Sequence, residues 1–114
     1  MVVTLCGSTK FKEAFSFVEA QLTLRGFVVL TPACLWHADG EEPTAEQRAV
    51  LDRVYDEKIQ LAHAVVILNV GGYMGEQTRR ELSVAQTLGK PILFYRRYIG
   101  DLDGLAHDLR AILS

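Results

Sequence analysis

The sequence predicts one doubly wound α/β domain built on a parallel sheet of four or five strands. Short apolar runs alternate with segments of helical periodicity along the 114 residues. Twice, at Gly26 and Gly89, a glycine closes a predicted helix one or two residues before a predicted strand. Such alternation implies right-handed βαβ crossovers, which build parallel sheets. We expect a single domain over residues 1–114 with strand order 2-1-3-4, of the flavodoxin-like or Rossmann-like kind.

The first strand and the first helix lie at the start of the chain. Val2–Cys6 is an apolar run that Gly7 ends, which is typical of a strand. The apolar residues that follow recur at helical spacing: Phe11, Ala14, Phe15, Val18 and Leu22. They predict a helix with one apolar stripe, closed at Gly26.

The second strand and the second helix are separated by a longer loop. Phe27–Leu30 is the predicted strand, and Pro32 stops it. Residues 32–43 have the composition of a loop. Thr44 and Gln47 have the spacing of a capping box, so we expect a helix to begin there. Its apolar positions follow: Val50, Leu51, Val54, Leu61 and Ala62.

The second half of the chain contains two more strands and two more helices. Ala64–Leu68 is apolar at every position, as a central strand covered on both faces requires. The glycine-rich loop Gly71–Gly75 leads into a helix from about Thr78 to Leu88. Pro91–Tyr95 is the fourth predicted strand. A final amphipathic helix is indicated by four residues: Leu102, Leu105, Leu109 and Ile112.

Composition excludes several classes of protein. The chain has 12 Lys and Arg against 14 Asp and Glu, a balance that argues against a nucleic-acid polymer as partner. The longest apolar run, Ala64–Leu68, is far too short for a membrane span, and the N-terminus has no signal-peptide pattern. Two cysteines make no disulfide framework, so we expect the cytoplasm.

The predicted topology places a binding site at the carboxyl ends of strands 1 and 3. Two loops meet there, Gly7–Lys10 and Asn69–Gln77. Both lead into helix N-termini, whose free N–H groups favour an anionic or polyhydroxylated ligand. Neither loop has a dinucleotide or ATP fingerprint, and the three histidines form no metal set. We therefore expect neither cofactor nor metal.

Several candidate residues in these loops have two readings. Ser8 either caps the first helix or contacts a phosphate or ribose, and Lys10 is either a solvated charge or a phosphate ligand. Thr78 and Glu81 have capping-box spacing, which gives Glu81 a structural role. Glu81 also lies one turn into a helix at the mouth of the cleft, where a carboxylate is placed for chemistry.

Two aromatic residues, Trp36 and Tyr73, lie in predicted loops of this region. An aromatic side chain in a loop either fills the loop or stacks on a nucleobase. His63 stands between a helix and strand 3, where it can complement the helix C-terminus.

Taken together, these segments match a known family. The opening Leu5-Cys6-Gly7-Ser8, the stretch from Ala64 to Leu82 with its Asn-Val-Gly-Gly-Tyr loop, and the later Gly-Lys-Pro carry the likeness. The chain resembles the nucleoside 2-deoxyribosyltransferase-like superfamily, which includes the deoxynucleoside 5′-monophosphate N-glycosidases. The resemblance covers nearly the whole chain.

The resemblance implies a retaining reaction at an N-glycosidic bond, with transfer to a second base or hydrolysis by water. Glu81 matches the nucleophile. The substrate contacts expected from the resemblance and the loop positions are Gly7, Ser8, Lys10, Trp36, Asn69, Gly72, Tyr73, Gly75 and Thr78. The partners it implies are a nucleoside or nucleotide and a second copy of the chain, in a homodimer or larger homo-oligomer.

The chain departs from the family at one position. Where the family has an acid after the helix before strand 3, this sequence has His63. The imidazole either replaces the acid as a general acid, since its usual pKa is near 6.5, or marks a protein that binds a nucleotide without cleaving it. A non-catalytic nucleotide or nucleotide-sugar sensor with the same cleft is therefore the alternative function.

Overall fold

A computed structural model describes residues 1–33 and 42–113. Its strands are β1 Val2–Cys6, β2 Val28–Leu30, β3 Ala64–Ile67 and β4 Ile92–Phe94. Its helices are α1 Lys12–Leu24, α2 Ala45–Leu61, α3 Glu76–Thr87 and α4 Leu102–Ile112. Three short 3₁₀ turns lie at Thr9–Phe11, Val70–Gly72 and Tyr95–Tyr98. Trp36 and most of the predicted 32–43 loop lie outside the described residues.

The four strands form one parallel sheet in the order β2-β1-β3-β4, which confirms the predicted fold class and order. β1 and β3 are the central pair, with Val3 opposite Ala64 and Cys6 opposite Ile67. Every residue of β3 is buried, as its uninterrupted apolar sequence predicts for a strand covered on both faces.

Helices cover both faces of the sheet. One face packs against α1 and α4 through a cluster that includes Phe15, Val18, Leu22, Leu105 and Leu109. The other face packs against α2 and α3 through Cys6, Tyr55, Ile59, Val65, Ile67 and Ala85. The crossover from β1 therefore runs over one face and the crossover from β3 over the other, which opens a crevice between the two strands at their carboxyl ends.

The two predicted helix caps have different outcomes. Thr44 caps α2, and its capping box with Gln47 is complete in both directions. The box predicted for Thr78 and Glu81 is wrong, because α3 already begins at Glu76 with Gly75 as its N-cap. Thr78 is thus a buried residue inside the helix, and Glu81 does not cap the helix N-terminus.

Smaller differences concern where elements begin and end. The first helix opens with the Thr9–Phe11 turn, whose cap is Ser8. β4 ends at Phe94, because the chain turns into a 3₁₀ segment at Tyr95. Within residues 1–33 and 42–113, no helix has the length and apolarity needed to cross a membrane.

Candidate active site

A cleft of about 310 Å³ lies at the carboxyl ends of β1 and β3. Four parts of the chain border it among the described residues, and the segment between β2 and α2 contributes Pro32, Ala33 and Pro43. The loop after β1 contributes Gly7, Ser8 and Thr9, and α2 contributes Arg48, Leu51, Asp52, Val54, Tyr55 and Lys58. The entry to α3 contributes Tyr73, Gly75, Glu76, Gln77, Thr78 and Glu81. The two loops singled out from the sequence thus meet at one cleft, with a wall from α2 that the sequence did not indicate.

Glu81 is the buried carboxylate of the cleft, with 6% of the residue exposed. Burial raises its pKa from 4.5 to about 7, because the charged form loses hydration. A hydrogen bond from Gln77 and the charge of Arg80 oppose this rise, whereas the charges of Asp52 and Asp56 add to it. A carboxyl group that exchanges its proton near neutral pH is suited to chemistry in the cell.

Gln77 links Glu81 to a second carboxylate. Its Nε2 donates to Glu81 Oε2 at 3.3 Å, one helical turn further along α3, and to Asp52 Oδ1 on α2 at 3.0 Å. Neither the Gln77 nor the Asp52 side chain was predicted from the sequence to belong to the site. The i,i+4 spacing of Gln77 and Glu81 was a usable local signal. The contact with Asp52 joins positions 25 residues apart and has no local signature.

The first turn of α3 opens onto the cleft without a side-chain cap. Gly75 is its N-cap and provides no side chain, and the next backbone N–H groups have no partner within a helix of this type. These groups and the helix dipole favour an oxyanion or a hydroxyl group. Thr78, buried with 2% exposed, adds a hydroxyl to the same wall.

Lys10 contacts an aromatic ring and does not border the cleft. Its Nζ lies 3.4 Å from the centre of the Tyr73 ring, and Phe11 meets the same ring edge-on with centroids 5.8 Å apart. The Lys10 ammonium group covers one face of the Tyr73 ring. A nucleobase could therefore contact only the opposite face or the edge of that ring. Tyr73 itself borders the cleft, as expected, and connects the loops after β1 and β3.

Asn69 and Gly72 have structural partners away from the cleft. The Asn69 side chain accepts a hydrogen bond from the Arg96 backbone N–H at 3.0 Å, which ties the loop after β3 to the segment after β4. Gly72 has a φ of +82°, and the Arg96 guanidinium group occupies the space where a Cβ would stand. Neither residue belongs to the cleft lining.

His63 lies at the opposite end of the sheet from Glu81. It directly precedes β3, it is exposed, and its Nδ1 accepts a hydrogen bond from the Val2 backbone N–H at 2.9 Å. The cleft is at the other end of the same strands. His63 therefore joins the beginnings of β1 and β3. It is too far from the cleft to transfer a proton to a ligand beside Glu81.

The α2 wall is held against the sheet by hydrogen bonds. The Tyr55 hydroxyl donates to the Leu5 carbonyl, and Lys58 Nζ donates to the Thr31 carbonyl at 2.8 Å. Arg80, the residue before Glu81, forms an ion pair with Asp56 at 2.8 Å, which connects α3 to α2. The cleft is therefore assembled from elements that are fixed relative to one another.

Among the described residues, no three His, Cys, Asp or Glu side chains form a group that could hold a metal ion. A comparison of the chain with protein-family models gave no match. A comparison with curated proteins gave no significant match either.

Proposed function

We propose that this protein acts on the N-glycosidic bond of a nucleoside or nucleoside 5′-monophosphate, with Glu81 as the nucleophile. The observation that carries the proposal is the buried Glu81 carboxylate at the switch-point cleft, beside the uncapped N-terminus of α3. The resemblance of the sequence to nucleoside 2-deoxyribosyltransferases implies this chemistry. At about 310 Å³, the cleft is near the lower end of the ~300–1,000 Å³ range of ligand sites, which suits one nucleotide.

The reaction proceeds in two displacements at C1′ of the sugar. A Glu81 oxygen attacks C1′ while the C1′–N bond breaks, and the base leaves with the bonding electrons and takes up a proton from solvent. Water or a second base then attacks C1′ and gives up a proton to solvent, the ester bond to Glu81 breaks, and the carboxylate is restored. Water as the acceptor gives free sugar, and a base as the acceptor gives a new nucleoside.

The remaining groups of the cleft are placed to bind the sugar and its 5′ substituent. Gly7 and Ser8 border the cleft from one side. Thr78 and the first N–H groups of α3 offer hydrogen bonds to a 5′ oxygen or phosphate from the other. The Tyr73 ring borders the same space and is available to a base.

The proposal includes a homodimer or larger homo-oligomer, which the resemblance implies. Val50, Val54 and Leu61 share one face of α2, and each is at least 40% exposed in the single chain. Apolar faces of this kind are commonly covered in assemblies. We also propose the cytoplasm as the compartment, because Cys6 is a free, buried thiol.

The test compares wild type with Glu81→Gln on a panel of deoxynucleosides and their 5′-monophosphates, with free base measured by chromatography. We expect base release by wild type and a loss of at least about 10³-fold in Glu81→Gln, since the nucleophile is removed. Glu57→Gln, at an exposed position on α2, is the matched control and should keep wild-type activity.

Two results would contradict the proposal. Base release that persists in Glu81→Gln would show that Glu81 is not the nucleophile. Thermal stabilisation of wild type by a nucleotide without any base release would instead identify the non-catalytic sensor.

A further inference from the structure

The side chain of Gln77 donates both of its amide hydrogens to carboxylates. A glutamine NH₂ group has two donors, and here one nitrogen serves Asp52 Oδ1 at 3.0 Å and Glu81 Oε2 at 3.3 Å. The two acceptors belong to different helices, α2 and α3. The amide thus forms a bridge across the wall of the cleft, with a negatively charged group on each side.

We propose that Gln77 is a positioning residue that holds Glu81 and Asp52 as a linked pair of carboxylates and fixes the rotamer of Glu81 for attack. The inference rests on the proposed function. It goes beyond that function because neither the resemblance nor the sequence assigns a role to Gln77 or Asp52.

The geometry explains how Gln77 orients Glu81. The bond to Gln77 uses Oε2, and Oε1 has no hydrogen-bond partner within the described part of the chain. A carboxylate with one oxygen held keeps the other directed to a defined place, which a nucleophile requires. Since Gln77 and Glu81 are four residues apart on α3, the helix sets their relative position.

The surrounding charges explain why Glu81 needs a neutral donor. The Cys6 thiol at the end of β1 lies near Glu81, and Asp52 and Asp56 face it from α2. Arg80 on α3 is the neighbouring cation, and it is already paired with Asp56. Burial and the two aspartates therefore favour the protonated form of Glu81, and the amide of Gln77 opposes them by donating to the ionised form.

Packing does not account for a glutamine at this position. Gln77 is exposed on the first turn of α3, and its backbone continues the helix like its neighbours. An apolar side chain of the same length would fit the same space without disturbing the core. The amide donors are therefore the property that distinguishes Gln77 from such a replacement, which also makes the position suitable for a test.

The experiment measures the pKa of Glu81 by carboxyl-carbon NMR titration in wild type, Gln77→Met and Gln86→Met. Methionine keeps the length and helix propensity of glutamine and has no donor. Gln86 is exposed on the same helix and serves as the matched control. We expect Gln77→Met to raise the pKa of Glu81 by about 0.5 to 1, and Gln86→Met to leave it unchanged.

Steady-state base release gives a second readout. We expect the acid limb of the kcat profile of Gln77→Met to move to higher pH by the same amount, with a loss in kcat of about 3- to 10-fold at pH 6 and a smaller change in KM. A merely structural effect on α3 would lower kcat at all pH values without moving the limb.

The link to Asp52 is tested with Asp52→Asn. Removal of this negative charge should lower the pKa of Glu81, and it should lower it more in the Gln77→Met background, where the amide no longer lies between the two groups. Equal effects in both backgrounds would overturn the paired arrangement.

The outcomes separate this inference from the proposed function. A Glu81 pKa that is the same in Gln77→Met and Gln86→Met overturns the inference, whatever the activity. If wild type releases no base, the proposed function fails, and the two titrations alone then decide whether Gln77 holds the pair.

Discussion

Gly7, directly after β1, lies so close to Leu68, directly after β3, that a Cβ on Gly7 would stand 3.1 Å from both the Leu68 carbonyl oxygen and its Cβ. The ring of Phe15 on α1 closes the third side, at 3.2 Å. No left-handed backbone conformation is involved at this glycine. The close approach of the two strand ends brings the loop after β1 into the cleft.

The first prediction concerns this contact. Gly7→Ala should lower the free energy of unfolding by about 1–3 kcal/mol, because Leu68 and Phe15 are buried and must move to admit a methyl group. Urea unfolding measures the change. Ser8→Ala is the control at the next residue and should cost less than about 1 kcal/mol, since its capping hydrogen bond is long at 3.4 Å. Equal stability of Gly7→Ala and wild type would show that the strand ends can separate without cost.

The second prediction concerns stability and Glu81. Since burial raises its pKa from 4.5 to about 7, the folded state binds the Glu81 proton more tightly than the unfolded state. This contribution to stability is complete below pH 4.5 and is lost as the pH rises through about 7. The Glu81→Gln side chain cannot ionise, so the variant does not lose this stability as the pH rises. At pH 8 its free energy of unfolding should exceed that of wild type by up to about 3 kcal/mol.

Thermal unfolding from pH 4.5 to 8 checks this expectation. Glu57→Gln, an exposed control on α2, should keep the pH dependence of wild type. A Glu81→Gln variant that is less stable than wild type at pH 8 would mean that the ionised carboxylate stabilises the fold.

The third prediction concerns the pH dependence of base release. Glu81 must be ionised to attack C1′, so kcat/KM should rise with pH through about 7, the value to which burial raises the pKa of Glu81. At pH 6 the rate should be about tenfold below its plateau. Initial rates between pH 5.5 and 8.5 test this prediction. A rate that is constant over that range would show that the reaction does not depend on the ionisation of Glu81.

The fourth prediction concerns Lys10 and Tyr73. Lys10→Met keeps an apolar stem and removes the ammonium group that lies 3.4 Å from the Tyr73 ring centre. The expected loss of stability is about 0.5–1 kcal/mol. Lys12→Met, at an exposed position on α1, is the matched control and should change stability by less than about 0.5 kcal/mol. In a double-mutant cycle, Tyr73→Leu should cost less in the Lys10→Met background, and additive effects would disprove the contact.

The sequence alone determined the fold class, the order of the strands and the place of the cleft. Each of these follows from local patterns: the apolar run Ala64–Leu68 predicted a strand buried on both faces, and Gly26 and Gly89 marked the turns from helix to strand. The handedness of βαβ crossovers then left few topologies. The place of Glu81 near the start of α3 also followed from local sequence, whereas its spacing from Thr78 left a capping role and a chemical role both open.

Only the tertiary structure decided which side chains share the cleft. Asp52 meets Gln77 because α2 and α3 pack side by side, and no pattern within either helix encodes that contact. The same packing buries Glu81, and burial is what raises its pKa. His63 and Lys10, which have chemically suitable side chains, are directed to other partners. Local sequence sets the backbone, whereas the environment of a side chain is set by residues that are distant in the chain.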